Sequence, residues 1–86
     1  MTKITLRPRA LAGFKKAPED AGLNIRIAIE TLHKGLFPSH TKKLGGYKNG
    51  YRTRVGHWRI LFILNKSEID IADIFLKKGK GDYRRR

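Results

Sequence analysis

The stretch Tyr51-Arg52-Thr53-Arg54-Val55-Gly56-His57-Trp58-Arg59-Ile60-Leu61-Phe62-Ile63-Leu64 decides how this chain is read. Its first five residues alternate. Tyr51, Thr53 and Val55 share one strand face, and Arg52 and Arg54 share the other. Gly56-His57 predicts a tight turn. Residues 58–64 are apolar at positions of both parities, the composition of a central strand. The two segments therefore predict a hairpin, and Arg59, just past its turn, falls near Arg52 or Arg54 in space.

Moving toward the C-terminus, Asn65-Lys66-Ser67 predicts another turn and residues 68–76 a last strand. Moving the other way, residues 36–50 hold Pro38, Gly45, Gly46 and Gly50 and read as loop or irregular chain. Ile25, Ala28, Ile29 and Leu32 line one face of a helix that stops at Gly35. That helix opens either at Pro18-Glu19-Asp20, with acidic residues near its positive end, or after Gly22 with Asn24 as its cap. Pro8 suits the first turn of a shorter helix that carries Leu11 and Phe14 and runs to about Lys16, where Pro18 follows as a breaker. Ile4 and Leu6 alternate in a short opening strand. The expected fold class is α+β: strand-helix-helix-strand-strand-strand, a mostly antiparallel sheet with two N-terminal helices packed on one face. Residues 1–86 are expected to form one domain.

Composition narrows the function. The chain carries 20 Lys and Arg against 7 Asp and Glu, a formal net charge of +13. Residues 1–41 contribute +4 and residues 42–86 contribute +9. Such an excess opposes compaction and favours a polyanionic partner. With 40% hydrophobic residues, the chain suits a folded core rather than a basic disordered tail. It has no cysteine, hence neither disulfide framework nor thiolate metal site. His33, His40 and His57 are scattered, without a second ligand type beside them, so no metal or other cofactor is expected. Gly45-Gly46 matches neither dinucleotide nor P-loop spacing. The few carboxylates show no acid/base pairing. No apolar run approaches the length of a membrane span, and no signal-type apolar core opens the chain, so a cytoplasmic location without membrane association is expected.

What remains is cationic. Guanidinium groups bind phosphate bidentately and keep their charge at any working pH. Arg52, Arg54 and Arg59 around one hairpin, with Lys77 after the last strand and Tyr83 beyond it, could form a preorganised phosphate site. The plainer reading of the same residues is a solvated outer sheet face. Trp58 could stack on a base or pack in the core. Phe62 and Phe75 read as core, and Tyr47 and Tyr51 as packing or loop anchors.

The run Lys43-Leu44-Gly45-Gly46-Tyr47-Lys48-Asn49-Gly50-Tyr51-Arg52-Thr53-Arg54-Val55-Gly56-His57-Trp58-Arg59-Ile60-Leu61-Phe62 resembles the core of the RelE/ParE toxin superfamily. The pattern is Lys-Leu, a short gap, then Tyr-Arg-x-Arg-x-Gly-x-aromatic-Arg and a strand. The strand-helix-helix order upstream and the last strand, Lys77 and Tyr83 downstream are also similar, so the resemblance spans nearly the whole chain. It implies a toxin of a type II toxin–antitoxin pair. The RelE-like branch cuts mRNA on the ribosome through attack of a ribose 2′-hydroxyl on the adjacent phosphate, without a metal. The ParE-like branch shares the fold and inhibits DNA gyrase, and a catalytically weak ribosome- or RNA-binding relic is a further alternative.

Carried across residue by residue, the resemblance makes Arg52, Arg54, Arg59, Lys77 and Tyr83 the catalytic set. Lys43, Lys48, Lys78 and Lys80 are expected to add RNA contacts, and Arg84, Arg85 and Arg86 nonspecific attraction. One departure matters. Where the family pattern has a lysine pair, with one lysine as general base, this chain has Arg52 and Arg54, which hold charge but do not release protons. Imidazole ordinarily titrates near neutral pH, which makes His57 a possible base with a plain turn role as its alternative. Tyr83 could serve only if neighbouring cations favoured its ionised form. The resemblance further implies a cognate antitoxin, and a toxin of +13 makes an acidic or partly disordered one the natural expectation.

Overall fold

A computed structural model describes residues 2–77. Lys78, Lys80, Tyr83 and residues 84–86 lie outside the described residues. The elements follow in the order β1 (Lys3–Leu6), α1 (Pro8–Lys16), α2 (Glu19–His33), β2 (Thr41–Lys43), β3 (Gly50–Val55), β4 (Trp58–Asn65) and β5 (Glu68–Leu76). One five-stranded sheet results, ordered β1-β5-β4-β3-β2. Only the β1–β5 pair is parallel; β2 to β5 form an antiparallel run.

This is the expected α+β architecture with one correction. The segment read as loop contains a strand, β2, paired with β3 through Thr41–Thr53, Lys42–Arg52 and Lys43–Tyr51. Three residues flanked by Pro38 and Gly45-Gly46 are too short to show a period, so pairing to a neighbour, not local pattern, makes this strand. Of the two openings left for the second helix, the earlier holds. Pro18 occupies the N-cap position, and Glu19 and Asp20 fill the first turn.

The core lies between the helices and one sheet face. Ile60 and Phe62 of β4 and Ile69, Ile71 and Ile74 of β5 bury against Ala10 of α1 and Ile25, Ala28 and Leu32 of α2. Each fully buried large apolar side chain contributes about 1.5–3 kcal/mol. Trp58, on the same strand parity as Ile60 and Phe62, packs partly buried against this cluster. At one end of the core Tyr51 stacks on Phe62, ring centroids 5.5 Å apart, and Phe37 lies 5.0 Å from Tyr51.

A bulge in β5 sets what the other face carries. Leu61 aligns with Asp73 and Phe62 with Ile71, which leaves Ala72 as the extra residue. In a regular strand Ile71 and Ile74 would face opposite sides. The bulge turns both toward the helices and sends Asp73 and Phe75 to the opposite face. Asp70 and Asp73 are then met by the arginines at the start of α1. Arg7 Nη2 lies 3.2 Å from Asp70 Oδ2, and Arg9 Nε lies 3.3 Å from Asp73 Oδ2.

Helix α1 lies against the β5 backbone, and Gly13 permits that approach. A Cβ there would sit 1.8 Å from the Ile74 carbonyl oxygen. Gly22 of α2 has nothing within 4 Å of its own would-be Cβ. Helix propensity alone favours alanine over glycine by about 0.8–1 kcal/mol at either place. The two substitutions should therefore differ in sign. Gly22→Ala should raise the thermal midpoint by a few degrees, and Gly13→Ala should lower it by a clash cost of about 1–3 kcal/mol. Thermal unfolding followed by circular dichroism checks both; a stabilised Gly13→Ala would contradict the packing of α1.

Candidate nucleic-acid site

The β3–β4 hairpin turns through two residues, Gly56 and His57, between the paired residues Val55 and Trp58. Gly56 has φ +61, the conformation a tight hairpin needs at its first central position. This turn fixes the register and places Arg54 directly across the ladder from Arg59. Arg52 lies two residues along the same face, across from Leu61. Continuing across the sheet, Arg59 aligns with Phe75 of β5, buried on this side. Lys77 follows with the parity of Phe75, and its backbone N–H donates to the His57 carbonyl at 2.8 Å. The sheet thus gathers four of the sequence-derived residues, Arg52, Arg54, Arg59 and Lys77, around one end of one face.

Local bonds hold this cluster. Arg59 Nη1 donates to the carbonyls of Gly56, 3.1 Å, and Trp58, 3.0 Å, so the guanidinium closes back over its own turn. Arg54 is exposed, and its Nη2 lies 3.3 Å from Nδ1 of His40. The Arg54 backbone N–H donates to the His40 carbonyl at 3.2 Å, which extends the β2–β3 pairing by one residue. His40, Arg54, Arg59 and Phe75 consequently form one row across four segments of chain. The next row is Lys42, Arg52, Leu61 and Asp73.

Other sequence-derived positions fall elsewhere. Lys43 aligns with Tyr51, a strand parity opposite to Arg52, so the edge-strand lysine on the arginine face is Lys42. Lys48 sits exposed in the β2–β3 turn, at the opposite end of β3 from Arg54. His57 is exposed on the hairpin turn. Trp58 has the helix-side parity and packs there, which separates it from the arginine row. His40 and Lys42 went unmarked in the sequence because their strand did. The signal was faint: Thr41 and Lys43 alternate as Tyr51 and Thr53 do. Among the described residues, no three His, Asp or Glu side chains group as metal ligands, and no helix is long and apolar enough to cross a membrane.

With this geometry the fold can be compared with known ones. No protein-family model matches the sequence, and no curated protein matches it either. Solved structures do. The E. coli RelE toxin matches with a TM-score of 0.80 over 99% of this chain and 94% of its own, at 12% identity. The chain has the RelE toxin fold. The RelB–RelE antitoxin–toxin complex of Methanococcus jannaschii matches with a TM-score of 0.75 at 24% identity, covering 84% of this chain and 88% of that one. The YoeB dimer of Staphylococcus aureus matches with a TM-score of 0.73 at 17% identity, covering 92% and 98%. The RelE-like architecture expected from the Lys43–Phe62 motif is thus the observed one.

The segment carrying His40 is pinned from below. Thr41 Oγ1 donates to the Pro38 carbonyl at 2.6 Å and lies 2.8 Å from Thr53 Oγ1. Its single proton is committed to Pro38, so Thr53, 1% exposed, donates to Thr41. Thr41→Val removes the donor to Pro38 and the acceptor for a buried hydroxyl. It should cost about 1–3 kcal/mol. Chemical denaturation should show the loss as a lower midpoint at unchanged slope. An unchanged midpoint would contradict the anchoring of β2 on β3.

Proposed function

We propose that this protein is a type II toxin of the RelE kind: an endoribonuclease that cuts mRNA on the ribosome by 2′-hydroxyl attack on the adjacent phosphate and is held inactive by a cognate antitoxin. The observation that carries the reading is the cationic row itself, with Arg54 opposite Arg59 and Arg52 and Lys77 beside them. Like charges placed directly opposite destabilise a strand pair. An RNA phosphate has negative charge and oxygens that match the guanidinium fork, which suits it to such a row.

The chemistry follows from the charge. Attack by the 2′-oxygen gives a five-coordinate phosphorus whose equatorial oxygens carry more negative charge than the starting diester. Guanidinium groups fixed before the reaction stabilise that added charge without reorganising. This reading gives that work to Arg59, which is held by two turn carbonyls, and to Arg54, whose Nη2 lies beside His40. Neither removes a proton, so they orient and polarise the RNA. Lys77 adds charge at the hairpin end, and Tyr83, outside the described residues, is assigned to the site from the family pattern alone.

The antitoxin partner is supported by the M. jannaschii neighbour, an antitoxin–toxin complex. A second neighbour, the E. coli DinJ–YafQ complex, matches with a TM-score of 0.73 at 10% identity over 88% of this chain and 93% of that one. A net charge of +13 favours an acidic partner segment.

Induced expression of the intact chain should arrest growth and produce new mRNA 5′ ends within translated codons. Arg59→Ala should fold, bind ribosomes and cut at least about 10²-fold more slowly. Mapping of 5′ ends after induction reads both. Intact mRNA with gyrase-linked DNA breaks would replace this reading with the ParE-like one. Full cleavage by Arg59→Ala would remove Arg59 from the site.

A further inference from the structure

Residue His40 is exposed and has φ +64, a left-handed conformation that non-glycine residues avoid at a cost of about 1–3 kcal/mol. It is one of two described non-glycine residues with positive φ; the other, Lys66, lies in the β4–β5 turn, where the chain reverses. His40 closes the Ser39–His40 turn that leads into β2, and its neighbours fix it from both sides: the Arg54 N–H holds its carbonyl, and Thr41 is anchored to Pro38 and Thr53. The result is an imidazole placed at the end of the Arg54–Arg59 row.

The contact with Arg54 fixes the chemistry of the ring. A guanidinium only donates, so Nδ1, 3.3 Å from Arg54 Nη2, must present its lone pair. Among the described residues, the row and its flanks otherwise hold Arg52, Arg54, Arg59, Lys42 and Lys77, none of which suits proton removal as a guanidinium or fully charged ammonium. An anionic phosphate is a stronger acceptor for Arg54 than a neutral imidazole. A phosphate drawn to Arg54 would release the Nδ1 lone pair at about one hydrogen-bond length from that same phosphate.

We propose that His40 is the general base of the site, a role that rests on the nuclease reading above. The proton of the ribose 2′-hydroxyl passes to Nδ1 as the 2′-oxygen bonds to phosphorus and the bond from phosphorus to the 5′-oxygen breaks. The departing 5′-oxygen takes a proton from water, and the imidazolium returns its own to water. The products are a 2′,3′-cyclic phosphate and a 5′-hydroxyl. Arg54 has two roles in sequence: it keeps the ring's lone pair directed into the site before RNA arrives, then binds the phosphate.

The test is cleavage by the full chain on programmed ribosomes, measured as single-turnover rate against pH, for the wild type and His40→Asn. Asparagine tolerates the left-handed conformation and keeps a polar side chain beside Arg54, but it does not titrate in the working range. The wild-type rate should fall on acidification, as protonation occupies the lone pair, and level off on the alkaline side. His40→Asn should bind ribosomes as the wild type does, cut about 10²-fold more slowly or worse, and lose the acid limb. Should His40→Asn fail to fold, His40→Gly, unstrained at positive φ, takes its place, and added imidazole should restore part of its rate. An undiminished rate, or an acid limb that persists in the variant, overturns the role of His40 alone. Wild-type protein that leaves mRNA intact while arresting growth overturns the nuclease reading, and this role with it.

Discussion

Two arginines, Arg54 and Arg59, are paired residues on adjacent strands of one sheet. That opposition is unfavourable in itself, and the remainder of the fold is arranged to hold it. The helix side supplies the cohesion: Ile60 and Phe62 on β4 and the isoleucines of β5 pack under α1 and α2. Because side chains alternate, the same burial that fixes Ile60 inward fixes Arg59 outward. A one-residue slip would expose the core and bury the arginines, so core and charged face specify each other.

The bulge at Ala72 and the arginines of α1 extend this logic to β5. The bulge lets Ile71 and Ile74 both serve the core while Phe75 joins the arginine row and Lys77 follows with its parity. The carboxylates of Asp70 and Asp73 are engaged by Arg7 and Arg9 from α1. Arg7 and Arg9 thus bring cations to the acid of β5. The exposed Arg7–Asp70 pair adds little stability, about 0–1 kcal/mol, and Arg9 gives the buried Asp73 carboxylate a cationic partner.

Much of this was legible in the chain. The alternation of Tyr51 to Val55, the Gly56-His57 turn and the apolar run after it state the hairpin outright, and with it the shared face of Arg52, Arg54 and Arg59. Both helices and the first and last strands follow from spacing and from Pro8, Pro18 and Gly35. The strand at Thr41–Lys43 did not, because its existence depends on hydrogen bonds to β3 and on the Thr41–Thr53 pair, neither of which leaves a local period. With that strand went the placement of His40 and Lys42 on the arginine face and of Lys43 off it. The Ala72 bulge was equally silent, since it arises from how β5 meets β4 across Leu61 and Phe62.

The central claim is that this row of cations binds the RNA backbone at one place on the sheet. It is tested most directly by the salt dependence of affinity for a short 2′-O-methyl RNA, which cannot be cut. Contacts from Arg52, Arg54, Arg59 and Lys77 predict a log–log slope near −3, each phosphate contact contributing about −0.7 for a single strand. Arg54→Ala should make that slope shallower by about 0.7 at unchanged fold. A slope that Arg54→Ala leaves unaltered would contradict the account, because it would mean that the RNA is held by charges elsewhere on the molecule.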